Sequence, residues 1–249
     1  MTVDLPHRRT LGTVLVLAGL LPAVGFALLP TLGWPGILQG APATEALPRL
    51  EADPLVFRIG FGSMVLAGLL FLPGLLHVLR VLDATTPRPA APLRLLLALT
   101  IATATLRTLW YASALTVFPV LGGLLRDGDA DTRAAVDVTY IALNDLLSTV
   151  QEDIGVNVFG GVLLLLTSVA IVRARAYPVW IGVLGAVAGI AYLVSTSELA
   201  GIPNGPIVPV LGPALQSVWL VALGVIELVR RAPRPQATTT PAAAAPGRP

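Results

Sequence analysis

The sequence predicts an all-α protein, a polytopic transmembrane bundle of six helices with both termini in the cytoplasm. Three observations carry that expectation. Only 12% of the 249 residues are charged and 55% are hydrophobic, whereas a soluble domain carries roughly a quarter charged residues. Six apolar runs each approach the about 20 residues that a helix needs to cross a hydrocarbon core of about 30 Å. Arginine, finally, is concentrated in every second connecting segment, the asymmetry that marks cytoplasmic loops.

The first run covers residues 11–29 and follows His7, Arg8 and Arg9. Its length exceeds a usual signal-peptide core, and no small-residue cleavage motif follows closely, so an uncleaved helix is expected. The second run covers 57–79 and the third 93–117, with Arg80, Arg88 and Arg94 around the proline-rich linker Asp83–Pro92. The fourth, 154–172, and the fifth, 179–196, are separated by Arg173 and Arg175. The sixth, 207–229, is entered through the turn Pro203-Asn204-Gly205-Pro206 and followed by Arg230, Arg231, Arg234 and Arg248. These arginines fall on one side, which the charge rule makes cytoplasmic. The opposite side is acidic, with Glu45, Glu51, Asp53, Asp127, Asp129, Asp131, Asp137, Asp145, Glu152, Asp153 and Glu198. Residues 1–231 thus read as one membrane domain of a bacterial inner (plasma) membrane, and 232–249, rich in Pro, Ala and Thr, as a disordered tail.

Between runs three and four, residues 131–150 carry an amphipathic pattern. Val136, Tyr140, Leu143, Leu147 and Val150 recur at helical spacing, and Asp131 stands where a capping residue would. An unbroken helix from 131 to 172 would extend roughly 63 Å, so a bend or an outward projection is expected. The mean hydropathy of +0.82 belongs with these assignments.

Composition also narrows the chemistry. There is no cysteine, which removes thiolate catalysis and thiolate metal sites. All 16 basic residues are arginine, which removes a Schiff-base or phosphate-loop lysine. With only His7 and His77, no histidine metal site can form, and no cofactor is expected. A net charge of +2 gives no nucleic-acid face.

Ionisable groups within a membrane are costly and usually face the bundle interior. Arg107 lies about 21 Å along the third run from Leu93, in the outer half of the bilayer. It shares a helical face with Thr100, Thr103 and Tyr111. It reads either as an anion- or headgroup-binding residue or as a charge that fixes helix packing. Glu152 and Asp153 read either as a general acid–base pair or as solvated acids at a helix start. Asn157 lies deeper, and Gln216 is placed to hydrogen-bond a neighbouring helix. Gly185 and Gly189 allow close helix approach, either for packing or as a homodimer face. Glu227 is explained by ion pairing with Arg230 and Arg231. Arg58, Arg107, Tyr111, Asn157 and Glu198 are the candidate binding residues, with Glu152 and Asp153 the candidate acids. Together they form an outward-opening polar pocket if the helices bring them together.

Three stretches resemble a family. They are Phe57-Arg58-Ile59-Gly60, then Asn157 through Tyr192 with Gly160-Gly161, Arg173-Ala174-Arg175 and Tyr177-Pro178-Val179-Trp180-Ile181-Gly182, and finally Val218-Trp219-Leu220 followed by Gly224. Over most of 10–231 the chain is similar to a large bacterial family of six-helix membrane proteins, domain of unknown function 4386. The resemblance implies the six-span architecture and Arg58 as a recurring feature, and it implies no reaction, substrate or catalytic residue. Three functions stay open: binding or transport of a lipid or amphipathic small molecule, a membrane enzyme acting on a hydrophobic lipid or terpenoid substrate through Glu152 or Asp153, and a structural or regulatory subunit.

Overall fold

A computed structural model describes residues 5–34, 41–85, 91–202 and 208–230. The expected disordered tail, the Pro203–Pro206 turn, and Arg231, Arg234 and Arg248 lie outside the described residues. All regular structure among the described residues is helical. In order, the elements are α1 (Leu5–Leu28) with a 3-10 extension (Leu29–Leu32), α2 (Ala43–Glu51), α3 (Pro54–Thr85), α4 (Ala91–Asp127) and α5 (Ala130–Leu146). A π-helical stretch (Leu147–Val158), α6 (Phe159–Ala174), α7 (Val179–Ser195), a short 3-10 turn (Thr196–Ala200) and α8 (Val208–Val229) follow.

Five continuous helical segments are long and apolar enough to cross a membrane: 8–32, 54–85, 93–127, 130–174 and 210–229. The remaining apolar helix, α7, has 17 residues, about 26 Å at 1.5 Å per residue. The exterior carries Leu20, Leu69, Leu109, Val183, Val187 and Ile190 in exposed positions. A belt of this kind is stable against lipid and a liability in water. Inside lie the polar groups Thr100, Thr103, Arg107, Asn157, Thr167 and Gln216, the distribution that lipid as solvent selects.

The long helices close a ring in chain order. α1 packs on α3, α3 on α4, α4 on α6 and the π stretch, α6 on α7, α7 on α8, and α8 back on α1. Close approach at two seams depends on glycine. At the α6–α7 seam a methyl group on Gly189 would lie 2.8 Å from the Gly161 carbonyl oxygen, and one on Gly185 would lie 2.7 Å from Trp219 Nε1. Gly185 and Gly189 are therefore buried by packing inside the chain. The Trp219 indole N–H donates to the Ile181 carbonyl at 3.0 Å, tying α8 to α7.

One ring helix is much longer than the about 30 Å of a hydrocarbon core. At 37 residues α4 is about 56 Å long, and α5 returns beside it. With α2 they form a cap at one end of the bundle whose core includes Leu47, Phe57, Phe61, Trp110, Phe118 and Tyr140. The Ala43 N–H at the start of α2 donates to Asp137 of α5 at 2.8 Å. The helical segment continues without a break from Ala130 to Ala174, and its winding changes at Leu147. Val136, Tyr140 and Leu147 are buried as the helical spacing requires, but Val150 is 41% exposed and Gln151 is buried. From Leu147 the chain closes i→i+5 bonds, and these wider turns rotate later residues off a 3.6-residue stripe.

Asp129, not Asp131, caps α5, accepting from the Thr132 N–H at 2.8 Å. Hydrogen bonds from the Thr132 side chain and backbone hold its carboxyl below the usual carboxylate range. A lowered native pKa contributes stability above the unfolded value, and that contribution is lost as pH falls through the native one. The protection of amides in the first turn of α5, taken relative to their intrinsic exchange rate at each pH, is therefore expected to fall on acidification. Asp129→Asn keeps a capping oxygen and should make that turn insensitive to pH over the same range.

Candidate functional site

α4 carries the one arginine buried in the ring interior among the described residues. Thr100 and Thr103 are fully buried below it, Arg107 is 8% exposed, and Tyr111 above it is half-buried, so the shared face expected from spacing is the inward one. The Arg107 Nη2 donates to the Tyr192 hydroxyl of α7 at 2.7 Å, and that hydroxyl donates to Gln216 Oε1 of α8 at 2.7 Å. The chain fixes its own polarity. Arginine can only donate, so the tyrosine hydroxyl has one proton left to give and must meet the amide oxygen rather than its NH₂. Phe71 of α3 lies under the guanidinium, 5.6 Å from ring centroid to Cζ, a cation–π contact.

The hydrogen-bonding capacity of this group is not exhausted. Arg107 Nε and Gln216 Nε2 are buried and meet no acceptor among the described residues. Both residues line a crevice with Tyr111, Met64, Ser217 and the two helix-embedded prolines Pro22 and Pro213. Two donors, one of them cationic, thus belong to residues that border the cleft, while the donor atoms themselves are inaccessible. An unpaired buried donor costs roughly 1–3 kcal/mol, so both groups favour a hydrogen-bond acceptor beside them, a charged one most strongly for the guanidinium.

The other sequence candidates distribute unevenly. Glu152, in the π stretch, is near enough to interact electrostatically with Arg107 and Tyr111. Asn157 is buried beside it and donates to Asp153 Oδ1 at 3.2 Å. Glu152 thus joins the Arg107 neighbourhood, and none of the three lines the crevice. Arg58 stands apart. Phe57, Gly60, Phe61 and Met64 define the buried face of α3, and Arg58 lies on its exposed side. The side chain of Glu198 lies outside the described residues. Tyr192 and Gln216 complete the network, in which the sequence reading had placed only Gln216, as a hydrogen-bonding partner between helices. The signal available was two polar residues at matching depth in adjacent spans.

A second buried cluster occupies the opposite end of the ring. Glu227 of α8 accepts from Arg8 Nε at 2.5 Å and lies 3.2 Å from His77 Nε2, with Arg230 Nη1 at 3.5 Å. Its side chain is inaccessible, and His77 is nearly so. Arg230 also donates to the Ala176 carbonyl and stacks over Tyr177, 4.6 Å from its ring centroid. Burial raises the Tyr177 hydroxyl above its ordinary pKa, so it stays a neutral partner. The snorkelling pair expected of Glu227 and Arg230 is thus the edge of a buried network joining α1, α3, the α6–α7 link and α8. Ionisable residues at one depth in three spans were its sequence signal.

No group of three or more His, Cys, Asp or Glu among the described residues is placed to hold a metal ion. The model of a family described as Domain of unknown function (DUF4386) matches residues 10–229. No curated protein and no solved structure matches the chain.

Proposed function

The chain belongs to the DUF4386 family, and from the chemistry of its own interior we propose that it binds the anionic or hydrogen-bond-accepting head of a lipid or amphipathic small molecule. In this reading it crosses a bacterial plasma membrane six times, with α7 as the sixth span and both termini cytoplasmic, and holds its ligand in the outer half of the bundle. The arginines of alternate connecting segments support that orientation. The observation that supports the binding reading is the pair of unpartnered donors, Arg107 Nε and Gln216 Nε2, on two residues that border one crevice.

Acid catalysis has less support. The crevice is lined by no carboxylate among the described residues, and Asp153 is engaged with Asn157. Arginine itself is a poor proton donor at a pKa above 12.

Mass spectrometry of what co-purifies with the intact protein in mild detergent tests the reading. The wild type is expected to retain a defined anionic amphiphile. Arg107→Gln should lower its retention by about 10- to 100-fold, the equivalent of one charged hydrogen bond at roughly 1.5–3 kcal/mol. Gln216→Met, which removes no charge, should lower it less. The same unselective lipid background in all three proteins would instead favour a structural or regulatory subunit.

A further inference from the structure

The two ends of the ring differ in how their charges are answered. The capped end carries Glu45, Glu51, Asp53, Asp127, Asp129 and Asp131, and arginines there find carboxylates: Arg49 Nη2 lies 2.7 Å from Glu45 Oε1, and Arg126 Nη1 lies 3.3 Å from Glu51 Oε2. At the opposite end the start of α1, the last turns of α3 and the α6–α7 link meet the end of α8, through the contacts of Glu227 with Arg8 and His77 and of Arg230 with the Ala176 carbonyl. The start of α4 joins them, since Leu96 shares a buried cluster with Leu82 and Tyr177. This end presents Arg9, Arg80, Arg94, Arg173 and Arg175 in exposed positions. Its carboxylates among the described residues are Asp83, which is exposed, and Glu227, which Arg8, His77 and Arg230 already occupy. None of the exposed arginines at this end is within ion-pair distance of a carboxylate among the described residues.

Arg173 and Arg175 stand close together where α6 turns into α7. Arg173 lies in the last turn of α6, and Arg175 caps that helix in the left-handed conformation, with φ 51° and ψ 29°. Glycine is the usual residue at such a cap because it has no Cβ to strain, and Arg175 is the one non-glycine residue with positive φ among the described residues. The next two residues pin the link from inside. Ala176 and Tyr177 are buried, with Arg230 bonded to the Ala176 carbonyl and stacked on the Tyr177 ring, and the two arginines are left outside. Depth is marked by α7. Its exposed Val183 and Val187 belong to the apolar belt, and Trp180, in its first turn and 53% exposed, stands at the edge of that belt. Tryptophan takes this place where acyl chains give way to head groups. Arg173 and Arg175 therefore lie at head-group level, and the guanidinium fork matches a phosphate in geometry as well as in charge.

We propose that this corner docks the phosphate of an anionic phospholipid, with Arg173 and Arg175 as its recognition residues and Arg9, Arg80 and Arg94 extending the same preference around the rim. The partner is a lipid because the corner adjoins the apolar belt, so that a head group held there leaves its chains in the bilayer. The site is separate from Arg107, which is buried inside the ring, and it stands or falls without the interior reading. An arginine beside an anionic membrane surface contributes about a fivefold preference.

Native mass spectrometry of the full chain in mild detergent, supplied with equal amounts of phosphatidylglycerol and phosphatidylcholine, tests the proposal. The wild type is expected to retain phosphatidylglycerol over phosphatidylcholine by at least about fivefold. Arg173→Gln/Arg175→Gln should bring the two lipids to within about twofold of each other, while Arg173→Lys/Arg175→Lys keeps the charge and should keep part of the preference. Arg49→Gln/Arg126→Gln removes equal charge at the capped end and should leave the preference unchanged. Arg107→Gln should leave the part that depends on Arg173 and Arg175 unchanged. Both corner residues are exposed, so thermal unfolding of their glutamine variant is expected to match the wild type. Inorganic phosphate at about 10 mM should displace no lipid. A wild type without preference, an equal loss in the two double-glutamine variants, or displacement of the lipid by inorganic phosphate would each overturn the proposal, the last by making the corner a site for soluble anions.

Discussion

Glu227→Ala is expected to be the most damaging single substitution in the membrane domain, lowering stability by about 3–5 kcal/mol, the usual consequence of removing one partner from a buried ion pair. The carboxylate is inaccessible, and Arg8, His77 and Arg230 all face it within 3.5 Å. Its removal leaves two arginines around a site without a counter-charge, at a depth where water relieves little of the cost. The four residues come from three helices, so the loss should register as separation of α1 and α3 from α8 and not as local fraying. Thermal unfolding of the purified protein in detergent measures it. Glu227→Gln keeps the shape and one acceptor oxygen and should fall between the alanine variant and the wild type. Adding Arg8→Ala to Glu227→Ala should recover part of the loss, because the pair interacts and their effects cannot add. A drop below about 1 kcal/mol for Glu227→Ala would mean that the cluster is solvated like a surface pair and that the ring is held by its apolar seams alone.

Arg58 and Arg107 show what a sequence of this kind reveals and what it withholds. Both stand in apolar runs, and depth alone makes both look like interior groups. Arg107 is interior because a charge about 21 Å along α4 from Leu93 cannot reach either surface. Arg58 lies four residues into α3, where a long side chain can reach the interface at little cost, and its place opposite Phe57, Phe61 and Met64 was already legible in the period of the helix. The all-helical membrane architecture was legible for the same solvent reason, since backbone in lipid has few alternatives to a helix. The network Arg107–Tyr192–Gln216 was not. It depends on which helices are neighbours, and hydropathy carries no information on ring order. Val150 was misplaced because a stripe drawn at 3.6 residues cannot anticipate the π winding that begins at Leu147. Glu227 was undervalued for a related reason. Arg230 and Arg231 are close in sequence and suggested a local pair, while the stronger partners, Arg8 and His77, are 219 and 150 residues away.

The α1–α8 seam offers the second large effect, with a sign that separates packing from helix propensity. Gly224→Ala is expected to destabilise by about 1–3 kcal/mol, the usual range for overpacking. A methyl there would lie 2.6 Å from the Gly12 carbonyl oxygen and 2.8 Å from the Val16 backbone nitrogen, and backbone on a packed helix cannot turn aside as a side chain can. At Gly62 in α3 a methyl would meet nothing within 4 Å. The same substitution there should stabilise by roughly 0.5–1 kcal/mol, the helical preference of alanine over glycine. Opposite signs from one chemical change, read by unfolding in the same detergent, would establish that α1 and α8 touch along their backbones, whereas two stabilising results would show the seam to be loose.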